Sequence, residues 1–209
     1  MKKRITAFVL AVCLLVALTA CGVQEDTSKL LGSIESDVYR NEYLELTCEL
    51  PSGWRFYSKE EMAEQNQLGG ELLENENAAE WLEKAGQLMD MMMADPTTGS
   101  NVNLLLQKTE HSLDRLDDAE LITRMQSSYE TQFASAGFTI TEYQPVEMTF
   151  CGQEKTCLRI GLTVDGMSEI TEYQVFVRTG KTYYAIITLA LMDDTDPQTL
   201  MNCFRSIAE

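Results

Sequence analysis

The sequence predicts an α+β domain, an antiparallel β-sheet flanked by helices, carried as a single domain on a tether. Three observations lead there. Apolar stretches of strand length are joined by short turn signals, Pro51-Ser52-Gly53, Asp165-Gly166 and Thr179-Gly180-Lys181, which favour antiparallel neighbours. Capped helical segments interrupt the strands near the start, the middle and the end, so helices pack on the sheet. The chain opens on a basic, then apolar, then small-residue segment that ends at a cysteine.

That opening segment comes first in the chain. Met1-Lys2-Lys3-Arg4 is a basic head, Ile5 to Ala17 is almost wholly apolar, and Leu18-Thr19-Ala20 precedes Cys21. The apolar run is shorter than the about 20 residues a membrane-spanning helix needs. Leu18-Thr19-Ala20-Cys21 resembles the bacterial lipobox. That resemblance implies a signal peptide over residues 1–20, a diacylglyceryl group on the Cys21 thiol and cleavage before Cys21. One acyl chain binds a membrane only marginally, so stable anchoring takes two or more. Residues 21–41 then read as the lipidated cysteine and a polar tether, with a helical turn around Leu30, Leu31 and Ile34. A flexible tether of that length spans roughly 20–25 Å. The folded domain is expected over 42–209. The expected location is the outer face of the cytoplasmic membrane, or the periplasm where the cell has an outer membrane.

The chain of 209 residues has 16 Lys and Arg against 33 Asp and Glu, a formal charge of −17. Loss of Lys2, Lys3 and Arg4 with the signal, and of no acid, takes it to −20. Such a surface is repelled by nucleic-acid phosphates and anionic head groups. Nucleic acid is therefore excluded as a partner. The membrane is met through lipid on Cys21, and a protein or small-ligand partner is left unnamed.

Along the domain, Glu42 to Leu50 alternates, with Leu44, Leu46, Cys48 and Leu50 on one face, and predicts a half-buried strand. Trp54-Arg55-Phe56-Tyr57 restarts a strand. Ser58 and Glu61 form a capping box for a helix to about Leu68, stopped by Gly69-Gly70. A second helix fits Glu74 to Ala85 and ends at Gly86. Leu88 to Met93 and Val102 to Leu106, around the Pro96-Thr97-Thr98-Gly99-Ser100 turn, form a hairpin. Asp117 or Asp118 caps a long helix to about Ala136, closed by Gly137, with Leu121, Met125, Tyr129 and Phe133 inward. Strands follow at Phe138 to Tyr143, Val146 to Phe150, Cys157 to Val164, Thr171 to Arg178 and Thr182 to Leu191. Asp196-Pro197 opens a last helix burying Leu200, Cys203, Phe204 and Ile207.

Leu50-Pro51-Ser52-Gly53-Trp54 after a strand resembles the start of the PsbP-like superfamily. Asp90-Met91-Met92-Met93-Ala94 with Thr98-Gly99-Ser100-Asn101-Val102-Asn103 looks like the hairpin of small bacterial lipoproteins of the DcrB/PsbP-like type. Thr149-Phe150-Cys151-Gly152 and the closing helix fit as well. The resemblance runs roughly from Asn41 to Glu209. It implies an α/β/α sandwich and mostly non-catalytic accessory or binding roles, with no active site to carry over.

The residues themselves point the same way. His111, the single histidine, sits in a polar stretch and reads as a solvated loop residue, so no multi-histidine metal site or histidine-based triad is expected. Met89, Met91 and Met93 on one strand face would suit Cu(I), but apolar packing accounts for them equally. Asp193, Asp194 and Asp196 lack an EF-hand's glycine and later Glu and read as helix capping. No cofactor or metal is expected. The main reading is a non-catalytic, anchored accessory or binding module. The other class is a small envelope enzyme or metal carrier using carboxylates or Met sulfur.

Export permits disulfides. Cys48 and Cys203 fall in core-facing phase, as apolar fillers or a buried pair. If Val146, Met148 and Phe150 face the core with Leu158, Ile160 and Leu162, even positions sit opposite even ones. A three-residue loop at Gln153-Glu154-Lys155 then sets Cys151 directly across from Cys157 on the outer face, within disulfide range, either as a dithiol or as a staple of the hairpin.

Overall fold

The structure, a computed structural model, describes residues 26–68, 74–109, 115–164 and 169–207. Expectations for the signal segment, Cys21, Gly69-Gly70, His111 and Asp165-Gly166 lie outside the described residues.

Within them the chain is α+β, and every strand pairing is antiparallel. The strands are β1 (Ser33–Glu35), β2 (Val38–Asn41), β3 (Leu46–Glu49), β4 (Arg55–Phe56), β5 (Gln87–Ala94), β6 (Asn101–Lys108), β7 (Thr139–Phe150), β8 (Gln153–Thr163), β9 (Ile170–Val177), β10 (Tyr183–Leu191) and β11 (Phe204–Ser206). The helices are α1 (Lys59–Gln65), α2 (Asn75–Ala85), α3 (Asp118–Ser135) and α4 (Pro197–Met201). They build a large sheet ordered β4-β5-β6-β10-β9-β8-β7 and a small one ordered β1-β2-β3-β11.

The local signals set the helix ends. Ser58 and Glu61 close a reciprocal capping box on α1, and Asp117 and Glu120 do the same on α3, filling backbone donors that a helix start leaves bare. Gly86 ends α2 at φ 78°, a conformation that costs glycine nothing. Pro197 stands in the first turn of α4 behind the Asp196 cap.

Both faces of the large sheet are covered. On one, Leu88, Met91, Met93, Val102, Leu104, Leu106, Ala185, Ile187, Leu189 and Cys157 pack with Leu30 ahead of β1, with Tyr39, Leu46, Cys48 and Phe204 of the small sheet and with Leu82 of α2. On the other, Leu158, Ile160, Leu162, Phe176 and Ile186 pack with Leu121, Ile122, Met125, Tyr129 and Phe133 of α3.

Four expectations need correction. The fold starts before residue 42: Leu30, Tyr39 and Asn41 are fully buried, and β1 and β2 are a hairpin of the small sheet, not tether. The last helix stops at Met201. The chain then turns, and Phe204 enters the core from β11, opposite Cys48. The stretches before and after Gln144-Pro145 are one strand, β7, with Pro145 on the sheet's edge, where a missing N–H is tolerated. The fourth is the β7–β8 register. Phe150 lies opposite Gln153, so the loop is Cys151-Gly152 alone, with φ 49° and 74°. Two positive φ values in a two-residue loop make a type I′ turn. Odd positions therefore face even ones, and Cys157 sits opposite Val146 rather than Cys151. Cys48, Cys151, Cys157 and Cys203 are all thiols.

Candidate functional site

Two groups of polar side chains are built into this fold. The first surrounds Asp90. A register shift between Met89 and Met91 makes Asp90 the extra residue of a β-bulge, a feature that re-aims a side chain. Asn66 holds the bulge from α1's end: its side-chain amide donates to Met89 O at 2.8 Å and accepts from Met89 N at 2.8 Å. The Asp90 carboxylate accepts from Tyr39 Oη (2.5 Å), Gly32 N (2.9 Å) and Asn41 Nδ2 (2.9 Å). Burial raises its pKa above the ordinary carboxylate range, and these three donors pull it back down. A Cβ on Gly32 would meet the Tyr39 ring at 2.3 Å, so only glycine lets this backbone come so close to the phenol. The group ties the N-terminal hairpin to the large sheet.

The bulge also corrects the methionine face. Leu88, Met91 and Met93 now share the side of Leu106, Leu104 and Val102, while Met89 lies opposite Leu105 on the other side. The three sulfurs expected together do not share a face, and Met91 and Met93 are packed core residues.

The second group lies on the α3 side of the large sheet, across its central strands. Asn103 of β6 is opposite Thr188 of β10, and Thr188 is opposite Gln174 of β9. One step along, Asn101 of β6 and Glu172 of β9 flank the small side chain of Ala190. Asn101, Asn103, Thr188, Gln174, Glu172 and, further along β6, Gln107 are each at most 7% exposed. Part of the row is partnered. The Tyr129 hydroxyl on α3 donates to Gln174 Oε1 at 2.6 Å, Gln174 Nε2 donates to Glu172 Oε2 at 3.2 Å, and Tyr184 Oη donates to Gln107 Oε1 at 2.5 Å. Asn101 Oδ1, both polar atoms of the Asn103 amide, Thr188 Oγ1 and Gln107 Nε2 are enclosed with no partner among the described residues. Buried polar atoms are normally hydrogen-bonded, so a concentration of such atoms on one sheet face is exceptional. Burial pushes Glu172 up to about 7, opposed only in part by the Gln174 amide. Among the described residues no Lys or Arg forms an ion pair with it.

Sequence reasoning did not find this row. Its residues alternate with apolar ones in strands buried on both sides, where Asn, Thr and Gln look like solvent-facing positions. The signal available was Glu172 and Gln174 just ahead of the apolar run that ends β9.

The cysteines do not assemble a reactive centre. Burial raises Cys157 to about 12 and pushes Cys48 higher still, so both remain protonated and inert near neutrality. Among the described residues, no three His, Cys, Asp or Glu side chains converge in a way that could hold a metal ion, and no helix is long and apolar enough to cross a membrane.

No family model and no curated protein matches the chain. Solved structures similar to it include two that illustrate the fold. Cyanobacterial PsbP (CyanoP) from Synechocystis sp. aligns with 13% identity over 90% of this chain and 98% of its own, at a TM-score of 0.46. The Ran-binding protein Mog1p of Saccharomyces cerevisiae aligns with 11% identity over 78% of this chain and 90% of its own, at 0.38.

Proposed function

We propose that the chain is a membrane-anchored bacterial lipoprotein of PsbP-like type, whose domain acts outside the cytoplasmic membrane as a non-catalytic accessory or binding module. The anchor rests on the sequence: a basic head, an apolar run and Leu18-Thr19-Ala20-Cys21 in the order that lipid transfer to Cys21 requires. The observation that carries the non-catalytic reading is the setting of the two carboxyl groups with raised pKa. Asp90 is bonded into the joint between the two sheets, and Glu172 lies under α3 within a row of amides and a hydroxyl. Among the described residues, neither has a Ser, Thr or Cys side chain or a second carboxylate as a hydrogen-bond partner, the pairings that hydrolytic chemistry uses. A row of enclosed, unpartnered amide and hydroxyl groups is suited to holding a ligand rather than to transforming one. The partner is a protein or small ligand, and the acidic surface opposes nucleic acid.

The test joins anchoring to partnership. The mature N-terminus from native membranes should start at Cys21 and carry acyl mass, and Cys21→Ser should abolish that mass and release the protein from the membrane. An unmodified N-terminus starting elsewhere would defeat the lipoprotein reading. Turnover of a hydrolysable substrate by the purified protein, lost on Glu172→Gln with the fold intact, would defeat the non-catalytic one.

A further inference from the structure

We propose that the polar row on the α3 side of the large sheet is a binding site for a hard cation, held over Ala190 by oxygens of Asn101, Asn103, Thr188 and Glu172. The inference deepens the binding-module reading by naming a ligand class, but it stands on the domain's own geometry and does not need the lipid anchor.

The placement follows from register. Asn101 and Glu172 lie on either side of Ala190, two strands apart, so their backbones are roughly 9.6 Å from one another. Ala190 contributes only a methyl group to the floor between them. Asn103 and Thr188, directly opposite each other, bound the same space one step along the strands.

The chemistry selects the ligand. Asn101 Oδ1, Asn103 Oδ1 and Thr188 Oγ1 are enclosed and have no partner among the described residues. Glu172 adds a carboxylate with no cationic partner among the described residues, its ion-pair needs unmet inside the protein. An anion would meet that carboxylate and is excluded. Zinc and copper favour His and Cys, and the row contains neither. Oxygen atoms from amides, a hydroxyl and one carboxylate are the ligand set of hard cations, which also retain water. Such a water would accept from the remaining donor, Asn103 Nδ2. The single carboxylate makes the site one of low charge, open to an alkali ion as well as to calcium or magnesium.

The experiment uses the full chain purified in detergent and freed of metal ions, with tetramethylammonium as the sole counter-ion. Sodium, potassium, magnesium and calcium are then added singly at matched ionic strength. The expected result is a saturable rise in melting temperature with at least one of them, larger than with the others. Thr188→Val and Glu172→Gln are near-isosteric, and each should weaken the half-saturating concentration at least tenfold. Asn101→Leu provides a third variant should either fail to fold. Equal melting in every salt, or rises unchanged in the folded variants, would overturn the proposal and leave the row filled by solvent, with the acidic surface merely screened. Membrane release by Cys21→Ser is unaffected by any of these outcomes, so the two readings fail separately.

Discussion

The Tyr39 hydroxyl donates to the Asp90 carboxylate at 2.5 Å, joining β2 of the small sheet to the bulge in β5 of the large one. Gly32 and Asn41 donate to the same group, so removing one partner leaves a buried acceptor short rather than merely deleting a contact. Tyr39→Phe should cost about 1.5–3 kcal/mol, the range for a hydrogen bond to a charged group. Asp90→Ala should cost more, because three donors lose their acceptor at once. Urea denaturation of the two variants should rank them in that order. A Tyr39→Phe midpoint equal to that of the unmutated chain would show that the joint contributes nothing.

The same joint makes residues 26–41 part of the domain. Leu30 and Tyr39 are fully buried, and burying such side chains contributes about 1.5–3 kcal/mol each. Asn41 adds donors to Leu30 O and Asp90, and its Oδ1 accepts from Leu44 N. Against a total stability of about 5–15 kcal/mol, losing all of this is severe. A chain cut after residue 25 should fold, and one cut after residue 41 should lose cooperative thermal unfolding. Matching melting curves for the two would restore the tether boundary at 41.

Glu172 sets a pH dependence whose sign is fixed. Its carboxyl titrates at about 7 in the fold against 4.5 as the reference. The folded state therefore holds the proton more tightly. The stability it gains is fully present below pH 4.5 and is lost as pH rises to about 7, by about 3 kcal/mol. Without an added cation, the unmutated chain should lose stability relative to Glu172→Gln across that window and run parallel to it above. Parallel curves from pH 4 to 8 would show that the carboxyl is solvated. An added hard cation should flatten the loss, because it stabilises the ionised form.

What the sequence disclosed and what it hid follow from one physical difference. Helix ends are decided locally, so Ser58 with Glu61, Gly86, Asp117 and Pro197 were legible and stand where they were expected. The antiparallel hairpin of β5 and β6 was legible from its turn residues. The bulge at Asp90 was not, since nothing in Leu-Met-Asp-Met-Met-Met distinguishes an extra residue from regular alternation. The tether failed because its polar composition concealed Leu30 and Tyr39, which are buried against residues of the large sheet far along the chain. The polar row failed for a related reason: its members come from β6, β9 and β10, and only long-range register brings them together.

The β7–β8 register illustrates the limit most clearly and yields the last prediction. Parity reasoning required one buried face, but β8 is buried on both, with Cys157 in one core and Leu158, Ile160 and Leu162 in the other. When either parity buries apolar side chains, the turn decides. Cys151 and Gly152 both take positive φ, which glycine accepts freely and cysteine does not. Asn-Gly is the preferred pair for such a turn. Cys151→Asn should therefore stabilise the hairpin, by up to about 1 kcal/mol less whatever packing the half-buried thiol supplies. The competing register makes the opposite claim, since there Cys151 faces Cys157 across a three-residue loop and its replacement would at best be neutral. Two measurements separate them. Chemical denaturation should give a higher midpoint for Cys151→Asn. Thiol alkylation of the folded chain should leave Cys157 unmodified until the domain unfolds, because its thiol is fully buried and its pKa is raised to about 12. A Cys151–Cys157 disulfide recovered from the native protein would refute the two-residue turn.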